Sequence, residues 1–156
     1  MAIKQMIRHA SDNEYLHKDF HGALNFALIY LEKHYGEQGV REYLTHFADQ
    51  YYAPLSQSIK EKGLDALQAY MEKIYAIEGG EVEIRRLNNP DSLEIHVTSC
   101  PAVAHIRSKG QDMSPLFHLT HEIVHECICR DTPYQSELIG YDPQTGACVQ
   151  RFTRRS

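Results

Sequence analysis

The chain lacks most of the features that assign a protein quickly. Its longest apolar run, around Phe26 to Leu31, falls far short of the roughly 20 residues a membrane-spanning helix needs. The opening stretch MAIKQMIRHASDNEY has no continuous apolar segment and no small-residue cleavage site, so no secretory export is expected. Basic residues are in deficit. Against 21 Asp and Glu stand 16 Lys and Arg, and the formal net charge of −5 has the wrong sign for a nucleic-acid binder. The cysteines are four, Cys100, Cys127, Cys129 and Cys148, with no C-x-x-C pair and no zinc-ribbon spacing. They read as reduced thiols of a cytoplasmic protein. No Walker loop, G-x-G-x-x-G or G-x-S-x-G is present, so nucleotide and serine-hydrolase readings have no support. No internal repeat, low-complexity tract or Ser/Gly/Pro linker divides the chain.

What is there is ordinary globular material: 156 residues, 42% hydrophobic and 24% charged, which argues for one folded domain over 1–156. That length buries a core without a disulfide or metal staple. Ten histidines are many, and the protein becomes distinctly less acidic near pH 6.

The domain has two halves of different character. Over about 13–78 the pattern is helical. Phe20, Ala23, Leu24, Ala27, Leu31 and Tyr35 recur at three and four from Asn13 onward, and Gly36 is a natural stop. A second helix runs from about Glu37 toward Lys62, with Pro54 as a kink and Gly63 as its end. A third spans Leu64 to Ile77, closed by Gly79-Gly80. From about 81 to 155 the period switches to two. Glu81 to Arg85 and Leu93 to Thr98 alternate around the turn cluster Asn88-Asn89-Pro90-Asp91 and predict a hairpin. Ser136 to Tyr141 and Ala147 to Thr153, joined through Asp142-Pro143-Gln144-Thr145-Gly146, predict a second. Between the hairpins lie two helical candidates, Pro101 to Lys109 and Ser114 to about Cys129, the latter with Ser114 as N-cap and Pro115 at the first position. The expected fold is α+β, with N-terminal helices packed on one face of an antiparallel sheet of two hairpins and a helix inserted between them.

Two features carry chemistry. Cys100 stands where a strand hands over to a helix, and strict alternation puts it on the polar face with Glu94, His96 and Thr98. At a helix N-terminus the backbone favours a thiolate, and His96 or another imidazole is a candidate base. The alternative is a small buried hydrophobe. The second feature is the segment FHLTHEIVHECIC. Leu116, Thr120, Ile123, Val124, Cys127 and Ile128 form one broad face. His118, His121, Glu122, His125 and Cys129 fall within a sector of about 100° on the other. His121-Glu122-Ile123-Val124-His125 is formally H-E-x-x-H, the spacing that holds zinc in metalloproteases. The extension that supplies a third ligand is missing: Ile128 and Asp131 stand where Gly and His belong. A divalent metal such as zinc on His118, His121 and His125 therefore stands beside a solvated or pocket-lining face as the reading of this stripe. Tyr43, Tyr51, Tyr52 and Tyr70 read as the edge of a core, Arg151, Arg154 and Arg155 as a solvated tail, and His17 with His21 as a solvated helix pair. Exposed aromatic helices are compatible with a homo-oligomer.

Cys100-Pro101-Ala102-Val103, Ser114-Pro115-Leu116-Phe117 opening a helix, Tyr134 ahead of a strand, then Asp142-Pro143-x-Thr145-Gly146-x-Cys148 and Phe152 resemble the L-2-amino-thiazoline-4-carboxylic acid hydrolase family. Helices followed by hairpins are similar too, so the resemblance covers most of the chain. It implies hydrolytic opening of a small cyclic amidine, a thiazoline bearing a carboxylate. Where the family pattern carries a Cys after Pro115, this chain has His118. The expected catalytic group is Cys100, His121, Glu122 and His118, with Cys148 approaching Cys100 if the second hairpin lies beside the first. The alternatives are a small-molecule-binding or sensor domain without catalysis and a metal-binding protein. The hydrolase reading requires Cys100 and the imidazoles to share one cavity.

Overall fold

The spacing of apolar residues in the first half builds three helices. The computed structural model describes residues 18–87 and 89–156. His17, the predicted helix start at Asn13 and the turn residue Asn88 lie outside the described residues. Helix α1, Asp19–Tyr51, leaves helical geometry at Gly36, whose φ of 69° suits a residue without Cβ, so the expected stop is a sharp break between two rods. Helix α2, Ala53–Lys62, carries Pro54 in its first turn. This corrects the expected kink: proline's missing N–H is harmless there, and Pro54 starts a helix. Helix α3, Leu64–Glu78, ends at Gly79 in the left-handed conformation.

Strands β1, Glu81–Arg86, and β2, Ser92–Ser99, form the first hairpin. Helix α4, Pro101–Ser108, follows with Pro101 in its first turn. Helix α5 spans Leu119–Cys129 and begins four residues later than expected. Ser114 does cap locally, its Oγ accepting from the Leu116 amide at 3.2 Å, but residues 115–118 form turns. Strands β3, Tyr134–Ile139, and β4, Cys148–Arg154, complete the second hairpin. Antiparallel pairing of β2 with β4 joins the hairpins into one four-stranded sheet of order β1-β2-β4-β3. The α+β expectation holds. No helix among the described residues is long and apolar enough to cross a membrane.

Leu93, Ile95 and Val97 of β2 and Cys148, Gln150 and Phe152 of β4 are buried on the helix side of the sheet. Each large apolar side chain among them contributes roughly 1.5–3 kcal/mol of transfer free energy. Glu94, His96 and Arg151 occupy the other face, where Arg151 Nε donates to Glu94 Oε1 at 2.8 Å and His96 Nε2 meets Glu94 Oε2 at 2.7 Å. These contacts, Arg151's hydrogen bond first, hold the Glu94 carboxyl below its ordinary range. Helix α5 packs against α1 and α2 on one side and β3 on the other. The imidazole side of α5 is therefore not a solvated face; part of it is pressed onto the sheet, with His125 edge-on to Phe152 at 5.2 Å between ring centroids.

Candidate functional site

The placement of Cys100 turns on one extra residue. Glu81 pairs with Ser99 but Val82 pairs with Val97, so Thr98 is a bulge in β2. Beyond it the alternation is offset by one. Thr98 is exposed, and Cys100, 2% exposed, faces the helices. This corrects the expected face: His96 remains on the outer surface with Glu94, and it is not the base.

Cys100 precedes α4, and the backbone amides of Ala102 and Val103 face its sulfur. Its own N–H donates to the Thr145 carbonyl at 3.0 Å, tying it to the turn before β4. The sulfur lies 4.0 Å from His121 Nε2. Burial pushes the thiol upward and outweighs the helix amides that favour its anion. Burial likewise lowers His121 to about 4 and His125 to about 3. At neutral pH the pair is therefore a thiol facing a neutral imidazole, and the proton moves only when a reaction draws it.

Cys100, His121 and His125 line one cavity of about 330 Å³ between the helices. Its wall is mostly apolar, with Leu24, Leu44, Met71, Phe117 and Val124. Phe20, Phe47, Tyr51, Tyr52 and Tyr70 line it too and contact one another, as in the Phe47–Tyr51 stack at 5.3 Å. Tyr51, Tyr52 and Tyr70 are thus cavity walls and not merely a core edge; Tyr43 does not line the cavity. A carboxylate also faces it. Glu78, 6% exposed, is paired with His21 at 3.0 Å. No Lys or Arg lines the cavity among the described residues.

The expected catalytic group is brought together only in part. Cys100 and His121 meet. Glu122 does not line that cavity: it lies 3.5 Å from Arg41 and lines a second cleft of about 230 Å³, which shares His121 and His125 with the first and adds Glu126, Ser136 and Glu137. His118 packs near Tyr141, ring centroids 5.9 Å apart, and does not line the cavity. His121 and His125 sit side by side, ring centroids 6.0 Å apart, yet no group of three His, Cys, Asp or Glu side chains suited to hold a metal occurs among the described residues. One turn of helix separates successive imidazoles, and the intervening Glu122 is turned to α1. Cys148, on the strand beside β2, comes close enough to Cys100 for that neighbour to add to the burial that raises its thiol. All four cysteines are free and buried. The last arginines serve the sheet and its edge: Arg154, at the end of β4, lies 5.9 Å over the Tyr134 ring, and Arg155, just beyond it, donates to the Arg130 carbonyl at 3.2 Å.

The pattern of apolar spacing passed over Glu78 and Gln150, and the solvated reading of His21 is corrected: its side chain is 13% exposed and pairs with Glu78. Glu78 extends the stripe Leu64, Leu67, Met71, Tyr75 by one more step, so a carboxylate on an apolar helix face was its signal. Gln150 occupies an inward strand position between Cys148 and Phe152, where an amide is out of place unless it is hydrogen-bonded.

Two imidazoles held neutral by burial couple stability to pH. Their folded values lie below the ordinary 6.5, so the unfolded chain binds protons first as pH falls. Stability is intact above about pH 6.5 and is lost from there down toward 4 and 3. We expect urea unfolding to show a loss on the order of 2 kcal/mol per imidazole between pH 7.5 and pH 5. His125→Leu should reduce that dependence; an unchanged slope would show that His125 is not the group responsible.

Comparison with protein-family models, with curated proteins and with solved structures finds no match to this chain. The functional reading therefore rests on the site itself.

Proposed function

We propose that the chain is a thiol-dependent hydrolase that opens a small cyclic amidine, with Cys100 as nucleophile and His121 as base. The observation that carries this reading is the position of Cys100: before α4, on a cavity wall, its sulfur 4.0 Å from His121 Nε2. Glu78 supports the amidine. A protonated amidine is a compact cation, and a carboxylate in an apolar cavity attracts one strongly. The ring carboxylate of a thiazoline finds no Lys or Arg on the described wall, so the reading is set at the amidine and leaves the acid as a variable to compare.

The chemistry balances with these groups alone. The sulfur gives its proton to His121 Nε2 as it bonds to the amidine carbon, and the C=N pair moves onto nitrogen. The ring C–N bond breaks, and the departing nitrogen takes the proton from His121. A thioimidate remains on Cys100. Water then adds to that carbon, one proton passing to His121 and the other to the departed amine, which keeps the positive charge that the amidine brought in. The C–S bond breaks and the thiol regains the proton. The net change is one water added and one ring opened.

A second reading, binding without chemistry, is favoured by the neutral resting pair and the aromatic wall. A panel of cyclic amidines, with and without a carboxylate, separates the two. Turnover accompanied by an acid-trapped adduct on the Cys100 peptide, read by mass spectrometry, is the expected result. Tight binding with neither turnover nor adduct would replace the hydrolase with a sensor.

A further inference from the structure

His121 works as a base only if the nitrogen facing Cys100 is the one without a proton, and something must set that choice. Its Nε2 faces the sulfur, and its Nδ1 faces the side-chain amide of Gln150 at 3.5 Å. Gln150 is 1% exposed. Around its Nε2 gather three groups: Tyr75 Oη at 3.3 Å, His121 Nδ1 at 3.5 Å and Cys148 Sγ at 3.7 Å. Its Oε1 is buried with no hydrogen-bond partner. Two of the three neighbours are proton carriers at neutral pH. Burial raises Tyr75 and pushes Cys148 up to about 11, so each offers a hydrogen, and thiol sulfur is a poor acceptor.

We infer that Gln150 is a positioning residue whose amide oxygen, turned toward His121, accepts the Nδ1 proton and so keeps Nε2 free to take the proton of Cys100. The reading rests on the Cys100–His121 pair proposed above. A half-turn of the amide about its last bond exchanges oxygen and nitrogen within the same volume. The oxygen then accepts from the phenol, the imidazole and, weakly, the thiol. The amide nitrogen takes the place where the oxygen found no partner, so one unmatched buried atom replaces another. What changes is the base. With the nitrogen toward Nδ1, the ring proton is forced onto Nε2 and the dyad is idle. With the oxygen toward Nδ1, the dyad is set. In strand terms Gln150 shares the inward face with Cys148 and Phe152, on the strand that pairs with β2 just before Cys100.

The tautomer is directly observable and needs no substrate. Protein labelled with 15N-histidine is examined near pH 7, where His121 is neutral, and its resonances are assigned by their loss in His121→Gln. The expected spectrum has Nδ1 protonated and Nε2 bare. The reverse assignment would overturn the inference. In Gln150→Leu the Nε2-protonated form should gain population, and alkylation of Cys100 by iodoacetamide, followed by peptide mapping, should slow by about 100-fold, the lower end of what a positioned base supplies. Gln150→Glu keeps an acceptor at the same place. It should restore the tautomer and the alkylation rate and raise the pH at which His121 titrates. Unchanged tautomer and rate in Gln150→Leu would assign Gln150 a packing role only. The correct tautomer in a protein that turns over no amidine would leave this inference standing and remove the hydrolase.

Discussion

Cys100→Ala is expected to lower amidine turnover by at least about 10³-fold while leaving the protein folded, because loss of a nucleophile leaves only the binding and electrostatic contributions of the site. The substitution removes one buried sulfur and creates no charge, so its cost in stability belongs to the ordinary range of about 1 kcal/mol. Turnover by chromatography and a thermal melt on the same sample check both halves. Cys100→Ser is a sharper version. An alkoxide is harder to form than a thiolate, and an imidazole lowered to about 4 is a weak base for it, so the hydroxyl should not rescue activity. Turnover retained by Cys100→Ala would mean that His121 acts on water directly and that the sulfur is only a wall of the cavity.

Gly146→Ala is expected to damage fold and site together. Gly146 has a φ of 70°, a conformation that costs a residue with Cβ roughly 1–2 kcal/mol. An added Cβ would also overlap the Cβ of Cys100 and come within 2.8 Å of Val103 Cγ2. Forcing a methyl into packed surroundings adds about 1–3 kcal/mol. Neither neighbour can swing aside, since both are held by the start of α4. The turn cannot relax easily either. Thr145 Oγ1 donates to Asp142 Oδ2 at 2.6 Å, the Gly146 amide donates to the Asp142 carbonyl at 2.7 Å, and the Thr145 carbonyl holds the Cys100 amide. A total loss of about 2–5 kcal/mol in chemical denaturation is expected, with slowed alkylation of Cys100 in whatever remains folded. A variant as stable as the parent would mean that the turn and the α4 N-terminus separate more readily than their contacts indicate.

The architecture was legible because it obeys periodicity. The stripe through Leu64, Leu67 and Met71, the alternation of Leu93 to Thr98 and the Asp-Pro to Gly turn each name their element without tertiary information. The N-terminus of α5 was not legible, since Ser114-Pro115 is good helix-start chemistry and yet caps only a turn. At the site, Cys100 and His121 do lie side by side, but not by the route that alternation suggests. Alternation placed the sulfur beside His96, and only the unpaired Thr98 reverses that. The stripe His118, His121, Glu122, His125 and Cys129 was one object in sequence and is several in space, because α5 is enclosed on both sides and its successive residues meet different neighbours. Glu78, His21 and Gln150 come from three distant elements, and no local pattern announces the pairing of the first two or the approach of the third to His121.

The bulge at Thr98 makes the chemistry of this domain a matter of counting. Drawing Thr98 into the ladder, so that every residue of the strand alternated, would alter no reactive group and delete no core side chain, yet it would hand the sulfur to the opposite surface, the side of Glu94 and Arg151, and leave the hollow without its nucleophile. Parity, as much as residue identity, is what this strand must preserve.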